Sequence, residues 1–213
     1  MISITDFMED TNLLSEQFKG KSWEHWKALL NGFYGLNTDA DKFTQITDRN
    51  APETPCKELW MIIGRRGGKS QISALLAVYE AIFNDHKSKL SAGELATIMV
   101  IANDRKQARS VMRYIQGLLT ENPMLNNMVI SETADTIELN NRCIIEIMTA
   151  SHRGLRGYTV GAVILDEIAF FHADGANPDK EIINSLRPSL ATLDGKLIAL
   201  SSPYARKGVL WDA

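Results

Sequence analysis

Residues 58–79 read ELWMIIGRRGGKSQISALLAVY, and this stretch is the strongest indication of the fold in the whole chain. An apolar run at Leu59–Ile63 enters a glycine-rich turn at Gly64–Gly68. The turn delivers Lys69 and Ser70 at the start of a segment whose apolar residues recur at helical spacing. A strand, a loop and a helix in this order are the context that a phosphate-binding loop requires. The sequence therefore predicts that this loop binds a nucleoside triphosphate.

The physical reason for this prediction lies in the glycines and in the helix behind them. Glycines let consecutive backbone N–H groups curl around a phosphate, and the helix adds its positive end. We expect Lys69 to reach the β- and γ-phosphates of ATP and the Ser70 hydroxyl to bind Mg²⁺. The residues predicted to hold the nucleotide here are Gly64, Arg65, Arg66, Gly67, Gly68, Lys69 and Ser70.

The loop is one residue shorter than the usual pattern G-x-x-x-x-G-K. Only Arg65, Arg66 and Gly67 separate Gly64 from the Gly-Lys pair, so that Ile63 stands where the first glycine is expected. An ordinary glycine-containing turn between a strand and a helix is the alternative interpretation. Two arginines inside the loop suit a polyanionic ligand better than they suit such a turn.

Composition sets broad limits on the function. The chain has 213 residues, of which 45% are hydrophobic and 23% are charged, as in ordinary globular proteins that bury a core. No apolar run is long enough for a membrane span, and the N-terminus does not have the pattern of a signal peptide. Because the net charge is −3, the chain is not a polycation that would bind nucleic acid through an overall excess of positive charge. Cys56 and Cys143 lie far apart in the sequence, so neither a disulfide nor a zinc site is predicted. This cysteine content predicts a reducing, cytoplasmic location.

The N-terminal third of the sequence carries weaker signals. Residues 1–20 are predicted to be a polar, weakly ordered lead-in. Helical spacing of apolar residues predicts a helix over 22–33, with Ser22 as its N-cap. Residues 36–53 are predicted to be a polar loop, in which Gln45 could contact adenine or be merely solvated.

The rest of the chain alternates between strands and helices. Residues 96–102, 161–166 and 196–202 are apolar runs typical of buried parallel strands, and short alternating pieces at 127–150 predict an antiparallel excursion. Helices are predicted over 103–119 and 179–191, with the second interrupted at Pro188. This alternation predicts a three-layer α/β fold with a mainly parallel sheet, formed by a single domain over 1–213.

A second chemical site follows the apolar run AVIL, where Asp166 and Glu167 stand at the end of a predicted strand. Ligands bind at the carboxyl edge of a parallel sheet. We expect Asp166 to hold Mg²⁺ opposite Ser70, directly or through water, and Glu167 to polarise the water that attacks the γ-phosphate. An apolar run followed by Asp-Glu also marks plain strand ends, so the prediction depends on its position after the glycine-rich loop.

Two further segments carry candidate residues. The loop 151–158 brackets Arg153 and Arg156 with glycines, and either guanidinium could neutralise charge on the γ-phosphate, in its own subunit or in a neighbour's. A surface loop with incidental arginines is the alternative. At the end of the last strand, the Ser201 and Ser202 hydroxyls could bind the attacking water or the γ-phosphate. The same serines are also compatible with a simple strand stop before Pro203.

The motifs GRRGGKS, RGLRGYTVGAVILDE and LIALSSP occur in this order, and together they resemble the ATPase domain of large terminase subunits. These proteins are the DNA-packaging motors of tailed bacteriophages, and the resemblance runs from about Trp23 to the C-terminus. A shortened loop with arginine directly after the first small residue is common in that family. The resemblance implies a P-loop NTPase of the additional-strand, RecA-like class.

The resemblance also implies roles for individual residues. Lys69 and Ser70 would act on ATP–Mg²⁺, Asp166 on the metal, and Glu167 as the catalytic carboxylate. Arg156, in the loop before the Asp166 strand, is favoured over Arg153 as a finger that acts on a neighbouring subunit. The residues implied to couple hydrolysis to movement are Ser201 and Ser202.

The partners implied by the resemblance are double-stranded viral DNA, the portal protein and prohead, a small terminase subunit, and further copies of this chain in a ring. The host cytoplasm is the implied location, with no role for a membrane. The aromatic–glutamine pair that many terminases use for adenine is not found in the helix WEHWK. Because the chain stops soon after Ser202, we expect a fragment with a shortened lid, and DNA cleavage only in a missing C-terminal nuclease domain.

Two other classes of function remain compatible with these motifs. One is a helicase-like or other nucleic-acid-dependent P-loop ATPase, although a helicase needs further motifs in a second lobe. The other is a nucleotide-gated binding module, in which Glu167 does no chemistry and ATP binds without turnover.

Overall fold

The computed structural model describes residues 2–150, 157–171 and 178–213. It divides the chain into two units, Met1–Leu59 and Trp60–Ala213. The prediction that 1–213 forms a single ATPase domain stays a prediction.

The described residues of the first unit form three α-helices, and the first of them lies within 1–20, so the predicted weakly ordered lead-in over 1–20 is wrong. Helix α1 begins with a capping box, in which the Asp6 backbone N–H donates to Ser3 Oγ (3.0 Å) and the Ser3 N–H donates to Asp6 Oδ2 (3.2 Å). Ile4, Phe7 and Met8 lie on one face of the helix and are fully buried. The three helices are α1 (Ile4–Glu9), α2 (Glu24–Phe33) and α3 (Ala40–Thr47).

The two other predictions for this unit need correction. Helix α2 follows a short 3₁₀ segment and has Trp23 at its N-cap without a side-chain hydrogen bond, so Ser22 is not the cap. The predicted polar loop over 36–53 contains helix α3, which packs through the buried Phe43. A Cβ on Gly32 would lie 2.2 Å from the Phe43 ring, so this glycine permits the close packing of α2 and α3. Gln45 lies on α3 and is exposed.

The second unit is built on a seven-stranded sheet with the order β1-β7-β6-β2-β5-β4-β3. Strand β2 pairs in parallel with β5 and β6, and β6 pairs in parallel with β7, while β4 is antiparallel to both β3 and β5. This confirms the mainly parallel sheet and its antiparallel excursion. The strands are β1 (Glu58–Ile62), β2 (Ala96–Ala102), β3 (Val129–Glu132), β4 (Thr136–Leu139), β5 (Cys143–Thr149), β6 (Val160–Asp166) and β7 (Lys196–Ser201).

The position of β7 fixes the class of the fold. This strand lies between β1, which leads into the glycine-rich loop, and β6, which ends in Asp166. An extra strand at this place is the arrangement of an additional-strand P-loop NTPase, so the predicted fold class is confirmed. Every residue of β2 and β6 is buried, as expected for central parallel strands covered on both faces.

Helices cover the two faces of this sheet and complete the three layers. Helix α7 packs with alternate residues of β2, β6 and β7 in one core, whereas α4 and α5 pack on the strands β2, β5 and β6. The predicted interruption at Pro188 is wrong, because α7 continues to Leu190. Leu186 and Leu190 are buried on either side of the proline and hold the helix through it. The helices of this unit are α4 (Lys69–Phe83), α5 (Arg105–Thr120), α6 (Pro123–Asn126), α7 (Pro178–Leu190) and α8 (Val209–Asp212).

A membrane span is not found in the described ranges, because none of their helices combines the necessary length with the necessary apolarity.

Candidate active site

The predicted site residues follow three neighbouring strands of the sheet. The glycine-rich loop follows β1, Glu167 follows β6, and Ser202 follows β7. A backbone hydrogen bond from the Ile63 N–H to the Ser201 carbonyl (2.9 Å) joins the start of the loop to the end of β7. An open cavity of about 640 Å³ is lined by residues of all three segments. The structure therefore brings together the three motifs that are far apart in the sequence.

Lys69 lies at the centre of the glycine-rich loop. Its ammonium group donates to the backbone carbonyls of Ile63 and Gly64, each at 3.2 Å, so the loop wraps around the lysine. The side chain is buried, and its Nζ lies 3.4 Å from Glu167 Oε1. Gly68, with φ 81°, is the N-cap of α4 and contributes no side-chain hydrogen bond to the first turn. A helix N-terminus of this kind is suited to binding an anion.

The glycines of the loop explain why the shortened pattern is tolerated. A Cβ on Gly67 would lie 2.5 Å from Ile63 Cγ2, and Gly68 has a left-handed backbone, so both positions require glycine. At Gly64 an added Cβ would meet nothing within 4 Å. Steric need for glycine is therefore confined to positions 67 and 68, and Ile63 packs against Gly67 where the usual pattern has its first glycine.

Glu167 is held by the two serines that end β7. Its Oε2 accepts from Ser201 Oγ (3.0 Å) and from the Ser202 backbone N–H (2.6 Å), and its Oε1 accepts from Ser202 Oγ (2.9 Å). Burial alone would raise the pKa of Glu167, but the donors from Ser202, with Lys69 and Ser201, outweigh it and hold the pKa below its ordinary value. The backbone of Glu167 is left-handed (φ 60°), which turns the chain sharply after β6. This carboxylate is therefore ionised and fixed in orientation.

Asp166 is the last residue of β6 and is fully buried. Its Oδ2 accepts a hydrogen bond from Gln107 Nε2 (2.9 Å), whereas its Oδ1 is buried and has no partner among the described residues. Burial raises the pKa of Asp166 to about 6, and the Gln107 donor acts in the opposite direction. A buried carboxylate with one free oxygen costs free energy unless a ligand occupies that oxygen.

These residues fit Mg²⁺. Hard cations take oxygen ligands, and in nucleotide sites Mg²⁺ uses one or two protein groups and completes its shell with phosphates and water. The free Oδ1 of Asp166 and the Ser70 hydroxyl at the cavity wall supply such oxygens. Across the described ranges, no group of three or more His, Cys, Asp or Glu side chains is placed to hold a metal by itself.

Sequence reasoning missed Gln107, which lines the cavity and contacts Asp166. The signal that could have found it is its place in the first turn of the helix after β2, because β2 is the strand next to β6. Tyr114, on the same helix, also lines the cavity and is half-exposed. Arg153 and Arg156 lie outside the described residues.

Several solved structures are similar to this chain, among them two of large terminases. The HK97 bacteriophage large terminase has a TM-score of 0.65 and 15% identity over 94% of this chain and 37% of that protein. An arginine-to-alanine variant of the Thermus phage P74-26 large terminase ATPase domain has a TM-score of 0.56 and 18% identity over 79% of this chain and 71% of that domain. This chain has the fold of a large terminase ATPase domain. It spans little more than a third of the HK97 large terminase.

The match is one of structure. No known sequence family and no curated protein matches the chain by sequence.

The cost of the buried carboxylate leads to a stability prediction for the metal-free protein. The folded-state pKa of Asp166 is about 6 and its ordinary value is 3.8, so folding is disfavoured when the carboxyl is ionised, and this contribution makes stability rise as the pH falls through 6 towards 3.8. We expect Asp166→Asn to raise the free energy of unfolding at pH 7 by on the order of 2–3 kcal/mol. The gain should shrink at pH 5, where the wild-type carboxyl is protonated.

Urea denaturation in EDTA at both pH values measures this difference. Asp135→Asn, in the turn between β3 and β4, is a control that should not gain stability, because the charge of Asp135 is paired with that of Arg105. Equal or lower stability of Asp166→Asn at pH 7 would mean that the buried carboxylate is already compensated.

Proposed function

We propose that this chain is the ATPase domain of a viral DNA-packaging motor, which hydrolyses ATP to ADP and phosphate to drive double-stranded DNA into a prohead. The observation that carries the proposal is the contact of Glu167 with Lys69 of the glycine-rich loop and with Ser201 and Ser202. A lysine for the phosphates and a carboxylate for the water are parts that phosphoryl transfer to water needs, and the two hydroxyls hold this carboxylate in place.

In the proposed reaction, the backbone N–H groups of the loop and the Lys69 ammonium bind the phosphates of ATP. Glu167 accepts a proton from the attacking water, and its ionised state at neutral pH suits it to act as this base. Asp166 and Ser70 would hold Mg²⁺, and the ion would supply positive charge to the phosphates. Arg65 and Arg66 are exposed at the mouth of the cavity and add positive charge there. Because Ser201 and Ser202 hydrogen-bond Glu167, a change in the contacts of this carboxylate would move the end of strand β7.

The partners of the proposed motor are the DNA, the portal protein of the prohead, a small terminase subunit and other copies of this chain in a ring, in the host cytoplasm. The shared terminase fold supports these assignments. In this assembly Arg156 of one subunit would act at the ATP site of its neighbour, with Arg153 as the alternative.

The contacts of Glu167 are also compatible with the binding module that the sequence left open. Because both carboxylate oxygens accept hydrogen bonds from the serines, the structure is also compatible with a module that binds ATP and changes shape without hydrolysing it. Turnover distinguishes the two candidates.

The test is ATP binding and steady-state phosphate release, measured against protein concentration and with proheads and DNA present. For the wild type we expect turnover that rises more than linearly with concentration. Lys69→Ala should weaken ATP binding by about 10–100-fold, because a charge-assisted hydrogen bond contributes roughly 1.5–3 kcal/mol. Lys87→Ala, a change at an exposed lysine of the same unit, is the matched control and should leave both quantities unchanged.

ATP binding without phosphate release under all of these conditions would favour the binding module. Absence of ATP binding by the folded wild type would exclude both functions.

A further inference from the structure

We infer that Gln107 is a positioning residue, which holds one oxygen of Asp166 so that the other is presented to Mg²⁺. This inference rests on the proposed nucleotide site and adds a residue to it from helix α5, outside the three motifs. Gln107 contacts Asp166 rather than the reacting atoms, so its effect on the reaction is transmitted through that carboxylate.

The backbone of Gln107 is fixed by the N-cap of its helix. Asp104 Oδ1 accepts a hydrogen bond from the Gln107 N–H at 2.9 Å, which anchors the first turn of α5. Strand β2, which precedes this turn, pairs with β6 so that Ala102 lies opposite Asp166. The register of the two strands therefore places the start of α5 beside the carboxylate, and the capped turn keeps Gln107 there.

The two oxygens of Asp166 have different surroundings. Oδ2 accepts from the Gln107 amide at 2.9 Å, and Oδ1 is buried without a partner in the described part of the chain. If Gln107 served only to satisfy a buried charge, the second oxygen of Asp166 would still lack a hydrogen-bond partner, and its burial would cost free energy with no function to explain it. A fixed donor on one oxygen and a free second oxygen form instead the arrangement in which an outer residue orients a metal-binding carboxylate.

An amide is well suited to this position. It donates a hydrogen bond without adding charge, so it does not compete with the cation for the carboxylate, as a lysine or arginine would. Gln107 also lines the cavity, so the contact with Asp166 lies at the boundary between the core and the nucleotide site.

The test compares Gln107→Met with Gln116→Met. Gln116 lies on the same helix and donates to Glu132 Oε1 on the exposed strand β3, so its replacement removes a similar amide hydrogen bond away from the cavity. Affinity for a fluorescent ATP analogue is measured in excess EDTA and across a Mg²⁺ titration. The free energy of unfolding of each variant is measured in EDTA.

We expect Gln107→Met to bind the analogue as the wild type does in EDTA. In the Mg²⁺ titration it should need about 10–100-fold more Mg²⁺ for half of the gain in affinity, the usual loss when an outer partner of a metal ligand is removed. Gln116→Met should follow the wild-type titration. Gln107→Asn, whose amide is one methylene too short to keep the contact, should reproduce the loss and serves in its place if the methionine variant does not fold.

A wild-type Mg²⁺ titration for both Gln107 variants would overturn the inference. So would an equal loss of affinity with and without Mg²⁺, since this would assign Gln107 to the nucleotide itself. A wild type whose affinity does not respond to Mg²⁺ would overturn it as well. A wild type that binds Mg²⁺–ATP but never hydrolyses it would refute the proposed ATPase and leave the role of Gln107 standing.

Discussion

Glu167→Gln is expected to bind ATP with wild-type affinity and to lose turnover by about 10²–10⁴-fold, the usual contribution of a general base. Glutamine has nearly the size of glutamate, so the side chain still fills its place beside Ser201 and Ser202. It cannot take a proton from water, because an amide oxygen is only a weak base. Single-turnover phosphate release at saturating ATP, with binding measured in parallel, separates this defect from a loss of affinity.

The matched control for this variant is Glu132→Gln, on the exposed strand β3. It removes a carboxylate of the same type that hydrogen-bonds an amide away from the cavity, and turnover should not change. If Glu167→Gln turns over ATP at the wild-type rate, the base is another group, and the contacts of Glu167 with the serines have a structural role only.

The contacts of Glu167 also indicate what must change before water can be activated. Its carboxylate accepts from the Ser201 hydroxyl and from both the backbone and the hydroxyl of Ser202, and Lys69 lies close by. An oxygen that accepts a proton from water must first lose one of these donors. Lys69 is the donor with an alternative anionic partner, the phosphates, so nucleotide binding would weaken its pairing with Glu167. Ser201 and Ser202, at the end of β7, would then change their hydrogen bonds to Glu167.

The parts of the structure that could be predicted from sequence are those encoded by contiguous residues. The fully buried strands β2 and β6 are continuous apolar runs, and the short alternating pieces within 127–150 form β3, β4 and β5. Each signal lies within a few residues, so neither depends on knowing the strand order. The glycine-rich loop and Asp166–Glu167 are of the same kind.

The errors come from signals that depend on tertiary contacts. The polar composition of residues 1–20 predicts weak order. A small number of apolar residues at helical spacing is nevertheless enough to bury one face of α1. Pro188 does not end α7, because buried leucines on both sides of it outweigh the lost hydrogen bond. Local propensity therefore gave the wrong answer where packing dominates.

Gln107 could not be found from a motif for a different reason. It lies 59 residues before Asp166, and the two meet only because β2 and β6 are neighbours in the sheet. Strand order is decided by the pairing of the whole sheet, so residues that follow a neighbouring strand reach the site without any fixed spacing in the sequence. The contact between Ser201 and Glu167 also arises because their strands, β7 and β6, are neighbours in the sheet. In that case the order of the motifs in the sequence already indicated that both residues belong to one site.

Arg156→Ala is expected to lower turnover by about 10³–10⁵-fold while ATP binding is retained, because an arginine finger acts on charge that develops in the transition state. If Arg156 acts on a neighbouring subunit, the wild-type rate per molecule should rise with protein concentration, and the variant should stay near the basal rate throughout. Arg153→Ala, three positions earlier in the sequence, is the matched control and should retain most of the activity. The opposite result for the two variants would assign the finger to Arg153.

Mixing two inactive variants decides whether the arginine acts within its own subunit. A site formed by the Glu167 of an Arg156→Ala subunit and the Arg156 of a Glu167→Gln neighbour contains every catalytic group, so a mixed assembly should recover part of the wild-type turnover. If the arginine acts on its own subunit, each variant carries its defect into every site that it forms, and the mixture stays inactive. A flat rate per molecule together with an inactive mixture would therefore exclude the trans-acting finger, and a self-contained ATPase would be the better account of the same fold.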